Sequence, residues 1–364
     1  MIYKAIGLMS GSSLDGLDIA FVELNEVRGA WTYQIIHAEC IEYDKELTEQ
    51  LKNVHNLDVP DFLRLHTKYG RFLGQQVNEF IERNGIQHQV HVIGSHGHTV
   101  MHDPANHTTG QIGDGASIAA LTGLPVVSDL RNLDVALGGQ GAPIVPIGDR
   151  LLFGEYDYWL NIGGIANITV PHNGGLLAYD VCPANQILNG LAETVGKNMD
   201  KDGEIARSGT LQMDILADLN DEAYYTQQPP KSLSNEKAKE LVFPILLESK
   251  NELPELMRTA VQHIVEKVTE AVQQYPSGKE QSKLLATGGG ALNTFMMELL
   301  RNSLADNNVE LVIPDEKTVQ FKESIVMALI GVLRWREETN VLSSVTGASR
   351  DSISGALWMG HSYN

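Results

Sequence analysis

Short runs of β-branched and aromatic residues alternate along the chain with segments in which apolar residues recur every three or four positions. The first three runs, at 2–8, 19–24 and 31–42, are separated by turns and predict strands. Helical spacing follows at 45–54 and 61–84, then a strand at 89–94, a short helix at 116–121 and a strand at 124–130. Three antiparallel strands followed by alternating helices and strands predict a mixed sheet with helices on both faces.

The same order of elements begins again in the second half of the chain. Strands are predicted at 156–162, 166–171, 176–180, 283–286 and 309–313, and helices at 185–195, 252–274 and 292–303. We interpret this as duplication of one architecture, an α/β protein of two lobes. A loop at 138–146 and a helix at 323–337 that crosses between the lobes mark the predicted boundaries. The N-terminal lobe is predicted to comprise 1–135 with about 338–364, and the C-terminal lobe 136–337. The segment 224–234, with Pro229-Pro230 and few apolar residues, predicts a surface loop or insertion.

Two glycine turns lie between strands, one near the start of each half. The first is in 5–22 and the second in 158–170. A tight turn needs glycine where the backbone reaches positive φ or where something approaches closely, and its free N–H groups suit an anion such as phosphate. An ordinary hairpin is the alternative for either turn alone. Together with Gly288–Gly290, the turns predict two similar lobes that close on one nucleotide.

Composition excludes several classes of partner. The 364 residues are 43% hydrophobic and carry 27 basic against 46 acidic side chains, a formal charge of -19. Such a chain repels nucleic acid and anionic lipid, so we expect neither as a partner. Cys40 and Cys182 form no metal-ligand pattern, and no apolar run reaches the roughly 18 residues of a membrane helix. We expect a cytoplasmic protein.

Seven collinear segments resemble those of the anhydro-N-acetylmuramic acid kinases. They lie at 7–18, 94–102, 111–114, 129–146, 160–168, 288–293 and 346–348. The resemblance implies a two-lobed actin-like ATPase (ribonuclease H-like) fold of the sugar-kinase superfamily, and a homodimer. It also implies an enzyme that uses ATP, Mg²⁺ and water to open the 1,6-anhydro ring of anhydro-N-acetylmuramic acid and phosphorylate O6. The implied pathway is the recycling of cell-wall amino sugar.

The resemblance also implies a nucleotide site made of three segments. The implied residues are Gly11, Ser12, Ser13, Asp15, Gly16 and Asp18 in the first phosphate loop, Gly163, Gly164 and Asn167 in the second, and Gly288, Gly289 and Asn293 beside the adenosine. Asp15 would hold Mg²⁺ through water, because a carboxylate facing phosphate directly would be repelled. Capping of the turn is the alternative for Asp15 and Asp18, and a plain turn is the alternative for the glycine triplet.

Asp180 matches the catalytic base of the family. The family motif Asp-Thr-Gly-Pro-Gly-Asn stands here as Asp180-Val181-Cys182-Pro183-Ala184-Asn185, so both glycines are replaced. The replacements put in question how closely this loop approaches its ligand. A carboxylate at this position can take a proton from water attacking the anomeric carbon. The alternative role for Asp180 is to cap the helix that follows.

The implied sugar site lies in the first half of the chain and in the late helix. Its residues are His96, His98, Asp114, Arg131, Gly139, Gln140, Pro143 and Glu323. The guanidinium of Arg131 suits the lactate carboxylate of the muramyl group, and pairing with Asp129 or Asp134 is the alternative. For His96 and His98 we favour hydrogen bonds to sugar over a metal pair or plain surface placement, since no third metal ligand is evident. The family generally carries Gln where His98 stands. For Glu323, the alternative is an ordinary acid at a helix start.

Two other functions fit the same motifs. One is a kinase of this fold acting on a different anhydro-sugar, and the other is an actin-like ATPase that hydrolyses ATP without sugar. ATP turnover measured with and without anhydro-N-acetylmuramic acid separates the sugar-independent ATPase from a kinase. The segments 111–114 and 138–146, together with Arg131, have no purpose in an ATPase without a sugar substrate.

Overall fold

A computed structural model of the chain divides into two compact units, residues 1–153 with 321–364, and residues 154–320. It describes residues 1–11, 14, 16–229 and 231–360. Three residues of the predicted first phosphate loop, Ser12, Ser13 and Asp15, therefore lie outside the described residues.

The first unit is built on a six-stranded mixed sheet. Its strands are β1 (Ile2–Ser10), β2 (Leu17–Val27), β3 (Ala30–Ile41), β4 (Val92–Ser95), β7 (Val126–Ser128) and β13 (Ala356–Trp358), in the order β13-β7-β4-β1-β2-β3. β1, β2 and β3 form an antiparallel meander, whereas β4 and β7 run parallel to β1. A separate hairpin, β5 (His98–Asp103) with β6 (Thr108–Ile112), occupies a region where the sequence predicted neither strand.

Helices cover both faces of this sheet, as predicted. They are α1 (Lys45–Lys52), α2 (Val59–Asn84), α3 (Gly115–Thr122), α4 (Asn132–Ala136), α5 (Pro146–Leu152), α12 (Glu316–Trp335) and α13 (Ser343–Thr346). α2 begins where the Asp58 carboxylate accepts the Asp61 N–H at 2.9 Å, and it ends at Gly85 in the left-handed region. Leu65, Leu73 and Phe80 of α2 pack with strand residues in one core. Within the described part of the chain, no helix is long and apolar enough to cross a membrane.

The opposite face of the sheet is covered by α12, which corrects the predicted domain boundaries. A Cβ on Gly7 of β1 would collide with the Ser324 carbonyl, and one on Gly94 of β4 would collide with that of Met327. Glycine thus allows the helix backbone to lie directly on the strands. For this reason 321–337 belongs to the first unit, and 136–153 joins it, whereas the sequence placed both segments in the second lobe.

The second unit repeats the topology of the first. Its strands are β8 (Tyr158–Ile162), β9 (Ile165–His172), β10 (Gly175–Pro183), β11 (Ser282–Thr287) and β12 (Val309–Val312), in the order β10-β9-β8-β11-β12. Its helices are α6 (Asn185–Glu193), α7 (Glu204–Ser208), α8 (Met213–Asn220), α9 (Asn235–Glu248), α10 (Leu253–Gln274) and α11 (Thr294–Ala305). β8, β9 and β10 form the meander, and β11 and β12 run parallel to β8. The predicted duplication of one architecture is confirmed.

A buried ion pair fixes α12 against α5 in the first unit. Lys322 Nζ lies 2.7 Å from Asp149 Oδ1, and the two side chains are only 5% and 3% exposed. Lys322 precedes the predicted sugar contact Glu323 in the same helix. The pair therefore fixes the part of α12 that carries Glu323.

Replacing Asp149 with Ala should destabilise the first unit strongly, because it leaves the Lys322 ammonium buried without its counter-charge. We expect a loss of about 3 kcal/mol or more in the free energy of unfolding, measured by urea denaturation. The matched control is Glu46→Ala, which breaks the exposed pair with Lys68 at 3.1 Å and should cost less than about 1 kcal/mol. Equal losses in the two variants would contradict a structural role for the buried pair.

Candidate active site

Three strands of the first unit end at one edge of its sheet. β1 ends at Ser10, and the parallel strands β4 and β7 end at Ser95 and Ser128. The turn at Gly11, the loop at His96 and the segment leading to Arg131 follow these strands directly. Ligands of open α/β sheets bind outside the carboxyl ends of the strands. This edge is the candidate site of the first unit.

Arg131 and His96 form a hydrogen-bonded pair at this edge. Arg131 Nε donates to His96 Nε2 at 3.0 Å, and its Nη1 donates to the Gly141 carbonyl at 2.6 Å. His96 Nε2 is therefore unprotonated, and His96 Nδ1–H donates to the Gly97 carbonyl at 2.9 Å. Burial, with the charge of Arg131, lowers the pKa of His96 to about 3. His96 is thus a neutral support for the guanidinium, and its predicted contact with sugar stays a prediction.

The guanidinium keeps its charge although it is buried. Burial lowers the pKa of Arg131 to about 10, while Glu323 and Asp134 act to raise it. The charges of Arg131 and Glu323 are therefore close enough to interact electrostatically, and the contact of either residue with sugar stays a prediction. No ion pair joins Arg131 to Asp129 or Asp134 in the described part of the chain.

Asp134 instead shapes the glycine loop at 138–143. Its Oδ2 accepts the Gly141 N–H at 2.7 Å and its Oδ1 accepts the Thr346 hydroxyl at 2.7 Å. A Cβ on Gly139 would collide with this carboxylate, so the loop requires glycine there. The predicted residues Gly139, Gln140 and Pro143 lie in this loop, which reaches Arg131 through the Gly141 carbonyl. The sequence analysis missed the role of Asp134, although its place just before the glycines was visible.

His98 ends a chain of hydroxyl groups. Its Nδ1 lies 3.0 Å from Ser10 Oγ, which accepts from the Tyr43 hydroxyl at 2.8 Å, and Tyr43 in turn lies 2.7 Å from the Tyr69 hydroxyl. Burial lowers the pKa of His98 to about 4. A neutral His98 is therefore fixed at the end of β1, close to the first glycine turn.

Two other predicted residues of the first unit, Asp114 and Gly16, have structural tasks, and a third, Asp18, lies in a strand. Asp114 caps α3, because its carboxylate accepts the N–H groups of Ala116 and Ser117 and the Ser117 hydroxyl. A Cβ on Gly16 would collide with the Ile41 carbonyl, and Asp18 lies in β2 opposite Met9. We therefore leave Asp114 out of the residues proposed below to bind sugar.

Polar residues form a row across the sheet of the second unit. Thr287 of β11 pairs with Asn161 of β8, Asn161 pairs with Asn167 of β9, and Asn167 pairs with Asp180 of β10. β8, β10 and β11 run parallel, so the row lies near their carboxyl ends. It is the counterpart of the edge described in the first unit.

The glycines beyond this row fall into two kinds. Gly288 has a φ of +79°, and a Cβ on it or on Gly290 would collide with β8. Gly163, Gly164 and Gly289 do not have a positive φ, and a Cβ on any of them would meet no described residue closer than 3.6 Å. As far as the described residues show, neither backbone conformation nor packing requires glycine at these three positions. They leave open the space that a closely approaching ligand fills.

Asn185 joins the two glycine segments. Its backbone N–H donates to the Gly163 carbonyl at 3.1 Å, and its Nδ2 donates to the Ile162 carbonyl at 3.2 Å. The same Nδ2 lies 3.7 Å from where a Cβ of Gly289 would be. The predicted second phosphate loop and adenosine segment are thus adjacent. Asn293 lies further along and caps α11 by accepting the Met296 N–H at 3.0 Å.

Asp180 lies at a bulge in β10 and is partly buried. Its Oδ2 accepts the Leu233 N–H at 2.8 Å. Burial raises the pKa of Asp180 to about 6, and the Leu233 hydrogen bond opposes that rise. The carboxylate is therefore ionised at neutral pH and is more basic than an exposed aspartate. It does not cap α6: the N-cap residue of that helix is Ala184, and among the described residues the Asp180 carboxylate accepts from the Leu233 N–H and from no N–H of α6.

The described residues of 224–233 form a loop, as the sequence predicted, and part of that loop is buried against Asp180. Thr226, Gln227, Gln228 and Ser232 are exposed, whereas Tyr224 and Leu233 are only 5% and 7% exposed. The Tyr224 hydroxyl donates to the Asp180 carbonyl at 2.7 Å. This contact was not predicted, because it depends on hydrogen bonds to a distant strand rather than on a local apolar pattern.

Comparison with known proteins agrees with this geometry. The family model for anhydro-N-acetylmuramic acid kinase matches residues 3–360. The chain belongs to this family. Proteins named anhydro-N-acetylmuramic acid kinase from Sulfurimonas denitrificans and Methylobacterium nodulans are 31% and 34% identical, each over 97% of this chain and 98% of their own length. The relative from Paramagnetospirillum magneticum is 35% identical over 83% of this chain and 84% of its own.

Solved structures include two that match most of the chain at low identity. The activator of the 2-hydroxyisocaproyl-CoA dehydratase from Clostridium difficile has a TM-score of 0.45 and 15% identity, over 92% of this chain and 96% of its own. A ROK family glucokinase from Streptomyces griseus has a TM-score of 0.43 and 10% identity, over 90% and 99%. The predicted α/β class with mixed sheets is confirmed by the two sheets of this kinase-family chain.

The two replaced glycines of the family motif face the core. Cys182 and Ala184 are both 0% exposed and belong to the core of the second unit. Both side chains therefore fill the interior of the second unit. Among the described residues, no group of three or more His, Cys, Asp or Glu side chains could hold a metal ion. The predicted magnesium residue, Asp15, lies outside them.

Replacing His98 with Gln should make the stability of the protein less sensitive to acid. The unfolded chain takes up a proton at His98 near the ordinary pKa, whereas folded His98 stays neutral down to about pH 4. Stability is therefore lost as pH falls from about 6.5, by about 1.4 kcal/mol per pH unit for one proton. The raised pKa of Asp180 has the opposite effect on the pH dependence of stability. Asp180 is present in both proteins, so this effect cancels in the comparison.

The measurement is the free energy of unfolding of both proteins between pH 7 and pH 5. Gln supplies an uncharged amide near Ser10, so the variant should retain its stability at neutral pH to within about 1 kcal/mol. Identical pH dependence in the two proteins would contradict the buried, neutral state of His98.

Proposed function

We propose that this chain is an ATP-dependent kinase that opens the 1,6-anhydro ring of 1,6-anhydro-N-acetylmuramic acid with water and phosphorylates O6. The products are N-acetylmuramic acid 6-phosphate and ADP. The observation that carries the proposal is the Asp180 carboxylate, which has a pKa of about 6 and lies in one row with the ends of the strands that lead into the glycine turns. A base of this kind, in a chain of this family, suits removal of a proton from water.

Asp180 acts as the general base of the ring opening. It takes one proton from the water whose oxygen bonds to the anomeric carbon, and the bond from that carbon to O6 breaks. O6 then attacks the γ-phosphorus, and ADP leaves with the electrons of the broken phosphoanhydride bond. The base is ionised at neutral pH, so it needs no further activation.

The residues of the second unit fit the phosphates of ATP. Open space at Gly163, Gly164 and Gly289 lets a phosphate chain lie against the backbone. α6 begins at Asn185 beside Gly163, so the positive end of its dipole lies close to this space. When bound, ATP supplies the phosphoryl group, and Mg²⁺ neutralises its charge, with Asp15 as the proposed ligand through water.

The residues of the first unit fit an acidic amino sugar. Arg131 uses Nε and one N–H of Nη1 within the protein, and its Nη2 has no hydrogen-bond partner among the described residues. It can therefore still bind a carboxylate such as the lactate group of the substrate. His98, Glu323 and the loop with Gly139, Gln140 and Pro143 supply hydrogen bonds to the sugar ring. We also propose a cytoplasmic homodimer on the family resemblance alone.

ATP turnover by the purified protein should depend on anhydro-N-acetylmuramic acid, with ADP and the 6-phosphate sugar formed in equal amounts. The Asp180→Asn variant should turn over about 10² to 10⁴ times more slowly, because amide nitrogen and oxygen are poor bases. In the unsubstituted protein, kcat/KM should fall about tenfold per pH unit below about pH 6, as Asp180 takes up its proton. A coupled assay of ADP release measures the turnover, and mass spectrometry measures the phosphorylated sugar.

The matched control is Asp200→Asn. Asp200 is a buried carboxylate of the same unit that accepts the Ile205 and Ala206 N–H groups, so its loss tests a general structural effect. It should keep kcat within about threefold. Turnover that ignores the sugar would instead assign a sugar-independent ATPase, and normal turnover by Asp180→Asn would remove Asp180 as the base.

Replacing Arg131 with Lys should weaken sugar binding selectively, since lysine cannot offer a planar fork to a carboxylate. We expect the KM for anhydro-N-acetylmuramic acid to rise about 10-fold to 100-fold while the KM for ATP stays unchanged. Arg334→Lys is the control, because Arg334 donates to the Gly355 carbonyl at 2.8 Å away from this cluster. A rise in both KM values would argue against a lactate contact.

A further inference from the structure

A segment without regular structure holds Asp180 at three points. We call residues 224–233 the strap; Pro230 within it is outside the described residues. The strap accepts the Asp180 N–H at the Lys231 carbonyl at 3.1 Å, donates the Tyr224 hydroxyl to the Asp180 carbonyl at 2.7 Å, and donates the Leu233 N–H to the carboxylate at 2.8 Å. The direction of the carboxylate therefore depends on the conformation of the strap.

The strap has few helical or sheet hydrogen bonds of its own to maintain that conformation. Lys231 Nζ donates to the carbonyl of Tyr224 at 3.1 Å and lies 4.5 Å from the centre of its ring. The other anchor is Tyr225, whose hydroxyl lies 2.9 Å from His263 Nε2. His263 belongs to α10 and is 0% exposed. The strap is thus tied to the interior of the unit through Tyr225.

The donor and acceptor atoms of the hydrogen bonds that anchor Tyr225 can be assigned in one way only. The Glu266 carboxylate can only accept, so Asn220 donates Nδ2 to it at 2.8 Å and presents Oδ1 to His263 Nδ1 at 2.8 Å. His263 Nδ1 must then carry the proton, and His263 Nε2 must accept from the Tyr225 hydroxyl. Burial, with the charge of Lys267, lowers the pKa of His263 to about 3, so the ring stays neutral.

We propose that His263 is a positioning residue for the catalytic base, holding the strap through Tyr225 so that the Leu233 amide stays on the Asp180 carboxylate. This inference rests on the proposed function, in which Asp180 is the base. The series of hydrogen bonds from Glu266 to Tyr225 fixes Nε2 as the atom of His263 that accepts a hydrogen bond. Tyr225 is thereby held in place, and the strap that contains it positions the Leu233 amide on Asp180. The charged side chains around this network are Lys231 on the strap, Glu222 before it, and Glu266, Lys267 and Glu270 on α10.

The Tyr225→Phe variant tests the link with the smallest change, since it removes one hydroxyl and keeps the ring. We expect kcat to fall about tenfold, with the KM values for ATP and sugar within about twofold. The pH below which kcat/KM falls, which we call the acidic limb, should rise by about half a unit. The reason is that a carboxylate that loses a hydrogen-bond donor is a stronger base. A structural defect alone would lower the active fraction and leave the limb in place.

Tyr158→Phe is the matched control. Tyr158 is also a buried tyrosine of the second unit, and its hydroxyl donates to the Tyr275 carbonyl at 3.0 Å and accepts the Ser277 N–H at 2.9 Å. It lies at the start of β8, the opposite end of that strand from the glycine turn. Its pH profile should match that of the unsubstituted protein, even if its melting temperature falls as much as that of Tyr225→Phe.

Two substitutions of His263 give a second, graded test. His263→Gln keeps one donor and one acceptor, so its limb and kcat should lie between those of the unsubstituted protein and those of His263→Leu, which keeps neither. An unmoved limb in both Tyr225→Phe and His263→Leu would overturn the inference, as would an equal shift in Tyr158→Phe. Failure of the proposed function is seen separately: if Asp180→Asn keeps normal turnover and the same limb, Asp180 is not the base and the inference falls with it.

Discussion

In the proposed function, the chemistry of this chain depends on how far the Asp180 carboxylate, the proposed base, is withdrawn from water. A fully exposed Asp180 would be too weak a base for water, and a fully buried one without a donor would be protonated and inactive. The structure sets an intermediate condition with partial burial and one amide, that of Leu233, which together give a pKa of about 6. Leu233 belongs to the strap, so the proposed basicity of Asp180 depends on a segment without regular structure.

The first unit carries a buried positive charge that suits an acidic substrate. The chain carries a formal charge of -19, so an acidic substrate must be held by a local arrangement rather than by the overall field. The proposed arrangement centres on Arg131, and its neighbour His96 is kept neutral by burial and by the charge of Arg131. A neutral His96 supports the guanidinium without adding a positive charge that would have to be buried beside it. The Asp134 carboxylate accepts hydrogen bonds from Gly141 and Thr346, and it shapes the loop without pairing with Arg131.

Much of the fold could be predicted from the sequence because its signals are local. Strand runs, the α2 helix and both glycine turns are set by neighbouring residues, and the duplicated order followed from them. The side on which α12 packs could not be predicted, since it depends on Gly7 and Gly94 meeting a helix more than 200 residues away. The hairpin of β5 and β6 was missed because its residues alternate weakly. The contact of the strap with Asp180 could not be predicted, because the residues that anchor the strap, His263 and Asn220, look like ordinary members of two helices.

The glycines show why the candidate site was easier to locate than to describe. A glycine triplet predicts a turn, yet only the structure separates Gly288 and Gly290, which packing against β8 requires, from Gly289, which it does not. A residue kept small without an internal reason indicates an external one, and Gly163, Gly164 and Gly289 share this property around Asn185. The replacement of two family glycines by Cys182 and Ala184 fits the same reasoning, since both side chains lie in the core. The positions that border the proposed ligand space are thus glycine, while Cys182 and Ala184 fill the interior of the unit.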